Sequence, residues 1–329
     1  MKRIIGGAIG ATLAVVLVAG GWFYEAAFHS TADPAAATHV VIPRGSTFAE
    51  IAATLADKGV IGNAFAFRLL GKFTHADTGV HAGEYRFDAH QTEREVLEQL
   101  RSGGAQVAVW VTIPEGFTAK EIAERLAEAH VGDEAAFERA FMGKTIVLGG
   151  TRTKNLEGFL FPSTYLVPTD AAPDAVAKQL TDQFALELPA NAAAKAKALH
   201  LTVPQVVAVA SLVEREAKVD SERALMAGVY YNRLRLGMPL QVDATIEYAL
   251  PVHKTALSFA DLAIDSPYNS YKHAGLPPTP IANPGKASLD AAFNPQKSDY
   301  LYYVYKGDGH SAFAKTLAEH NANVAKYLK

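Results

Sequence analysis

The 329-residue chain has no cysteine, which excludes a disulfide framework and every zinc site built on thiolates. It also lacks a charge surplus: 31 Lys and Arg face 34 Asp and Glu, a formal net charge of −3. Without a basic excess there is no electrostatic footprint for nucleic acid. Eleven His are present, but none falls in an HExxH-like ligand spacing. What the chain has is apolar bulk: 49% of its residues are hydrophobic, enough for sizeable cores at a length that suits two domains.

The N-terminus carries the longest uncharged stretch. After Lys2 and Arg3, residues 4–24 (IIGGAIGATLAVVLVAGGWFY) hold no charge, the length of a helix that spans a bilayer. Basic residues on one side only keep that side cytoplasmic, so the expectation is a single-pass inner-membrane anchor with the remaining chain exported. A cleaved signal peptide is the alternative, with Ala35, Ala36 and Ala37 as small residues for a peptidase, although such apolar regions are shorter. Residues 25–38 read as a linker.

An internal repeat follows. Ile42-Pro43-Arg44-Gly45-Ser46-Thr47, with Glu50-Ile51-Ala52 and Leu55-Ala56, returns 71 positions later as Ile113-Pro114-Glu115-Gly116-Phe117-Thr118, with Glu121-Ile122-Ala123 and Leu126-Ala127. Each copy predicts a strand, a turn and an amphipathic helix, with Thr47–Glu50 and Thr118–Glu121 at capping-box spacing. The first copy resembles the LysM module, a βααβ unit that binds N-acetylglucosamine polymers; a plain structural βα unit is the other reading. Further on, residues 83–87 predict a strand, 92–100 a helix ended by Gly103-Gly104, 155–168 loop or short strand, 172–200 helix, 300–305 a strand, and the C-terminus a helix. The class is α+β, with residues 39–104 as a LysM-like domain and 105–329 as a catalytic domain.

The densest chemistry lies in ASLVEREAKVDSERALMAGVYYNRLRLGMPLQVDATIEYAL, which begins at Ala210. Residues 203–217 predict a helix with Pro204 in its first turn and Val206, Val209, Ala210, Val213 and Ala217 on one apolar face. Glu214 and Glu216 then fall on opposite shoulders, with Arg215 toward solvent. Leu212 and Val209 put the bulkier apolar wall beside Glu216, and desolvation raises a carboxyl pKa toward that of a general acid. A pair of surface carboxylates bonded to Arg215, Lys218 or Arg223 is the bland alternative. Nearby polar and aromatic residues suit a sugar cleft: Tyr230, Tyr231, Asn232, Gln241, Asp243, Thr245, Tyr248, Tyr268, Asn269, Tyr271 and Asn283.

This stretch, together with SPYNSYKHAGLPPTPIANPGKASLDAAFNP and LEGFLFPSTY, resembles the YceG-like family of endolytic murein transglycosylases. The resemblance implies cleavage of the MurNAc-β-1,4-GlcNAc bond inside peptidoglycan strands without water or cofactor, leaving 1,6-anhydro-MurNAc ends. It implies that the second glutamate of the pair, Glu216, is the catalytic acid/base. Glu214, Asn232, Gln241, Asp243, Thr245, Tyr268, Asn269 and Tyr271 are the expected substrate-binding residues. Peptidoglycan strands, inner-membrane lipid and peptidoglycan synthases are the expected partners. Two positions depart from the family pattern: Ala217 stands where Thr is usual, and Ala244 where Pro follows the Asp. A two-carboxylate hydrolase pairing Glu216 with Asp243 or Glu214, and a non-catalytic peptidoglycan-binding anchor, are the rival readings.

Overall fold

The structure, a computed structural model, describes residues 20–21, 38–43, 45–89, 91–103, 108–252, 254 and 256–328. The expected membrane segment lies outside the described residues except for Gly20 and Gly21. Among the described residues no single helix is long and apolar enough to cross a membrane. The chain divides into two compact units, Met1–Ala108 with Pro168–Asp170, and Val109–Val167 with Ala171–Lys329.

In the first unit, β1 (Thr38–Ile42) leads through α1 (Phe48–Asp57) and α2 (Ala64–Phe73) to β2 (Gly83–Phe87), and α3 (Glu93–Ser102) follows. The two strands pair antiparallel with Val40 opposite Tyr85. Side chains alternate across a strand, so Val40, Ile42, Tyr85 and Phe87 turn into a core shared with Ile51, Leu55, Phe67 and Leu97. Thr47 and Glu50 close the expected capping box at the start of α1.

The second unit begins by repeating this plan. β3 (Ala108–Thr112), α4 (Ala119–Glu128) and α5 (Glu134–Met142) precede a two-residue-stranded hairpin, β4 (Val147–Leu148) with β5 (Thr151–Arg152). Then β6 (Thr164–Pro168) returns to pair with β3. The Thr118–Glu121 capping box forms as its earlier copy does. The repeat therefore extends past the sequence match that was read, to a second helix, where Phe67 and Phe137 are both buried, and to a returning strand, where Tyr85 and Tyr165 each donate to the carbonyl four residues earlier.

The rest of this unit is mainly helical: α6 (Pro173–Glu187), α7 (Ala192–Ala198), α8 (Val203–Glu216), α9 (Asp220–Arg235), α10 (Asp243–Ala249), α11 (Phe259–Leu262) and α12 (Lys286–Phe293). An antiparallel ribbon of β7 (Tyr302–Tyr305) and β8 (Ser311–Ala314) and a final helix, α13 (Leu317–Tyr327), close it. The single helix expected over 172–200 is two, because the chain leaves helical geometry at Leu188 before Pro189. The expected one-sided apolar face on α8 is also too narrow. Every residue from Val206 to Val213 is buried, because α7, α9, α10 and α12 pack around the helix. Beyond Val213, its last three residues reach polar surroundings.

Candidate active site

Helix α8 stops where Ala217 donates its N–H to the Val213 carbonyl at 2.9 Å and turns to extended backbone. Successive helical residues point about 100° apart, so Glu214, Arg215 and Glu216 leave the end of the helix in three directions. Each meets a different environment.

Glu214 enters a closed ionic network. Its Oε1 lies 3.2 Å from Arg223 Nη1, and its Oε2 accepts the Gly285 N–H at 2.9 Å. Arg223 also donates to Asp220 at 2.9 Å and to the Ser288 hydroxyl. Only 7% of the Glu214 side chain is exposed. Glu115 presses on Gly285 so closely that a Cβ there would sit 1.8 Å from Glu115 Oε1. Burial, then the neighbouring Glu214 charge, raises the Glu115 carboxyl pKa. Arg215 does not point to bulk solvent as its helix position suggests. It pairs with Glu247 at 3.0 Å and reaches the Gly116 carbonyl at 3.4 Å, because α10 and the 114–117 turn close over that face.

Glu216 faces a cleft, about 480 Å³ in volume, which it lines with Lys218, Gln241, Asp243, Tyr271 and Tyr303. Among the described residues no cation lies within ion-pair distance of its carboxylate. Tyr303 Oη donates to Glu216 Oε2 at 3.1 Å, and Tyr230 Oη lies 2.8 Å from Tyr303 Oη. Burial pushes the Glu216 carboxyl above its ordinary value; Asp243 and Glu247 add to that, while the Tyr303 hydrogen bond and Lys218 oppose it. Its place as the last residue of α8 acts the same way as burial, since the negative end of the helix dipole disfavours a carboxylate. A carboxyl inclined to keep its proton, open to a cleft and held by a neutral donor, has what a general acid/base requires.

The other expected site residues separate into two groups. Gln241, Asp243 and Tyr271 share the cleft with Glu216. Asp243 is the first residue of α10, and its Oδ1 accepts the Tyr271 hydroxyl. Gln241 adopts φ +54°, a left-handed conformation that a non-glycine residue rarely holds, and its N–H bonds to the Ser270 carbonyl at 3.1 Å. The remaining residues support the walls. Thr245 is fully buried and bonds to the Val242 carbonyl and to Ser270 Oγ. Buried Asn269 donates to the Leu262 and Ile264 carbonyls and accepts from the Tyr271 N–H. Tyr268 bonds to Thr279 and packs on Tyr248. Asn232 donates to the Ser298 and Tyr300 carbonyls. Glu214, as described, lies in the Arg223 network rather than in the cleft.

Sequence reasoning passed over Tyr303, Arg233 and Glu157. Arg233 grips the Leu301 carbonyl at 2.6 Å, the Pro239 carbonyl at 3.1 Å and the Leu240 carbonyl at 2.9 Å, with Tyr302 beneath its guanidinium. It thereby joins the strand bearing Tyr303 to the loop bearing Gln241. Glu157, from the LEGF motif, is buried and accepts from the Ala119 N–H, Asn283 Nδ2 and Tyr248 Oη. Burial raises its carboxyl to about 8. Asn283 in turn accepts the Leu160 N–H at 2.8 Å, so two motifs far apart in sequence are one buried joint. The available signal for Tyr303 was the aromatic run at residues 300–305, which states no partner.

A polar, aromatic-walled cleft with one desolvated carboxyl defines an acid–base site. The chain belongs to the YceG-like family, whose model matches residues 40–326. A relative from Bacillus subtilis named endolytic murein transglycosylase is 35% identical, covering 90% of this chain and 86% of its own length. One of the same name from Streptococcus pneumoniae is 31% identical over 95% of this chain, which spans 63% of that relative's length. The crystal structure of a YceG-like protein from Listeria monocytogenes superposes with a TM-score of 0.58 at 33% identity, covering 87% of this chain and 98% of that one.

Proposed function

We propose that this chain is a membrane-anchored endolytic peptidoglycan transglycosylase with Glu216 as its single acid/base. The observation that carries this reading is Glu216 itself: desolvated, without an ion-pair partner among the described residues, bonded by Tyr303 and facing the cleft shared with Asp243. The names of its relatives supply the substrate. In this reaction the Glu216 proton passes to the glycosidic oxygen as the C1–O bond breaks, and the N-acetylglucosamine side leaves. The resulting carboxylate then takes the proton of the muramoyl C6 hydroxyl, whose oxygen closes on C1 as a 1,6-anhydro ring. No water is consumed, and the carboxyl ends as it began. The nucleophile is tethered to the reacting sugar, which avoids the entropy of recruiting a second molecule. A conventional glycosidase needs two carboxylates; one suffices here.

Residues 4–24 anchor the chain in the inner membrane with its N-terminus cytoplasmic, and the LysM-like unit within residues 39–104 engages glycan. The strand–helix–helix–strand order of that unit supports the second statement. Inner-membrane lipid and peptidoglycan synthases are its natural neighbours. A two-carboxylate hydrolase remains the second reading because Asp243 shares the cleft and its charge acts on Glu216. Mass spectrometry of products from purified glycan strands decides between them. Anhydro ends that vanish in Glu216→Gln and persist in Glu214→Gln support the transglycosylase; reducing ends from the unmodified protein overturn it.

A further inference from the structure

Tyr230 and Tyr303 come from α9 and β7, 73 residues apart, and meet end to end. Tyr230 is fully buried and does not line the cleft. A phenol has one hydrogen to give. If Tyr303 spends its hydrogen on Glu216 Oε2, the 2.8 Å contact to Tyr230 is made by the Tyr230 hydrogen. The chain of donation therefore runs from Tyr230 to Tyr303 to Glu216. Burial holds both phenol pKa values well above their ordinary range, so both remain donors at any physiological pH.

From this geometry we infer that Tyr303, backed by Tyr230, is a positioning residue that assigns the two oxygens of Glu216 different tasks. Oε2 accepts the phenol; Oε1 is the oxygen that gives and retakes the proton. In a neutral carboxyl the carbonyl oxygen is the better acceptor, so donation to Oε2 places the acid proton on Oε1. Once that proton has left, the same contact becomes a hydrogen bond to an anion, which is the stronger kind. The relay thus favours the carboxylate formed in the first half of the reaction, and Tyr230 strengthens it by polarising the Tyr303 hydroxyl. Other groups around the carboxyl are Asp243 and Glu247 from α10, and Lys218 beyond α8. Arg233 from α9, Tyr271, and Ser311 and His320 from the C-terminal elements line the same cleft. Among the described residues, the Tyr303 hydroxyl is the one group hydrogen-bonded to the Glu216 carboxylate.

The inference rests on the proposed acid/base role, and its test separates the two. The Glu216 carboxyl is titrated by carbon NMR in ¹³C-Glu-labelled protein, with Glu216→Gln assigning the signal. Glycan turnover is followed in parallel across pH. Tyr303→Phe keeps the ring contacts to Tyr230 and Phe313. It removes a hydrogen bond that favours the ionised form, so the titration midpoint should rise by about one unit, the size of one such bond. The alkaline limb of kcat/KM should move up with it, and kcat should fall about tenfold while KM stays within about twofold. Tyr230→Phe, out of reach of substrate, should move both midpoints the same way by about half as much. Unmoved midpoints in both variants, or a shift confined to Tyr303→Phe, overturn the relay. Midpoints that shift as stated in a protein releasing no anhydro ends sustain the relay and sink the transglycosylase reading instead.

Discussion

Glu214 and Glu216 sit two residues apart on one helix and illustrate opposite ways of keeping a carboxyl inside a protein. On the Glu214 side, the carboxyl is matched by partners: Arg223 and the Gly285 N–H satisfy both oxygens. On the Glu216 side no cation among the described residues comes within ion-pair distance; desolvation works against ionisation and the cleft leaves the carboxyl in reach of a ligand. Both side chains are largely withdrawn from water, so depth of burial alone does not identify the acid. Removing the proton carrier gives the largest effect. Glu216→Gln should cost at least about 10²–10⁴-fold in turnover, with thermal stability near that of the unmodified protein. Glycan digestion with matched concentrations of folded protein measures this. Residual activity within tenfold would break the comparison.

The closed side responds in stability instead. Glu214→Leu leaves Arg223 buried beside Ser288 with only the exposed Asp220 as ion-pair partner among the described residues; a buried pair broken from one side costs up to about 3–5 kcal/mol. Urea denaturation should register that loss, while Glu214→Gln, which still accepts the Gly285 N–H, should lose less and keep releasing anhydro ends. A Glu214→Leu protein of undiminished stability would mean that the network is an incidental surface arrangement.

A smaller effect comes from Asp243. Its negative charge raises the Glu216 pKa, so Asp243→Asn should lower that pKa and move the alkaline limb of activity to lower pH. Turnover at the optimum should drop by about tenfold, the scale of one charge-assisted hydrogen bond. Anhydro ends should persist. Loss as complete as that of Glu216→Gln, or a switch to reducing ends, would instead make Asp243 a partner in hydrolysis.

Local features were readable in the sequence because local chemistry determines them. The Thr47–Glu50 and Thr118–Glu121 boxes and the β2 strand at residues 83–87 appear where spacing puts them. The 203–217 helix ends one residue early, at Glu216. The second helix of the later copy was not read, since its shared residues with the earlier copy, such as Phe137 with Phe67, are few and shifted by one position from the main match. Contacts over long separations were invisible: Arg215 with Glu247, Tyr303 with Glu216, and Glu157 with Asn283 depend on the tertiary path. The motif residues Asn232, Thr245 and Asn269 were read as sugar-facing because their side chains are polar. Polarity did not reveal that backbone carbonyls and neighbouring hydroxyls already occupy them.

The first unit holds a third kind of carboxyl, and it tests the comparison with the smallest effect. Glu93 is 3% exposed, takes the Asn63 N–H at 3.3 Å on Oε1, and its Oε2 has no hydrogen-bond partner among the described residues. Among the described residues it has no matching cation as Glu214 does, and it belongs to the core side of α3 rather than to a catalytic cleft. Burial raises its pKa from 4.5 to about 7. A raised carboxyl pKa means that the folded state binds the proton more tightly than the unfolded one. Its contribution to stability is fully present below pH 4.5 and is lost as pH rises through about 7. Glu93→Gln removes that titration. The variant should match the unmodified protein in acid and melt higher at pH 8, by roughly 4–8 °C for each kcal/mol of the lost contribution in a unit of 60–100 residues. Melting curves of both proteins from pH 4 to 8 test this. A gap that is constant across that range would show that desolvation of Glu93 is offset in the folded state, and that an unpaired carboxyl can be kept ionised at this depth without a cation.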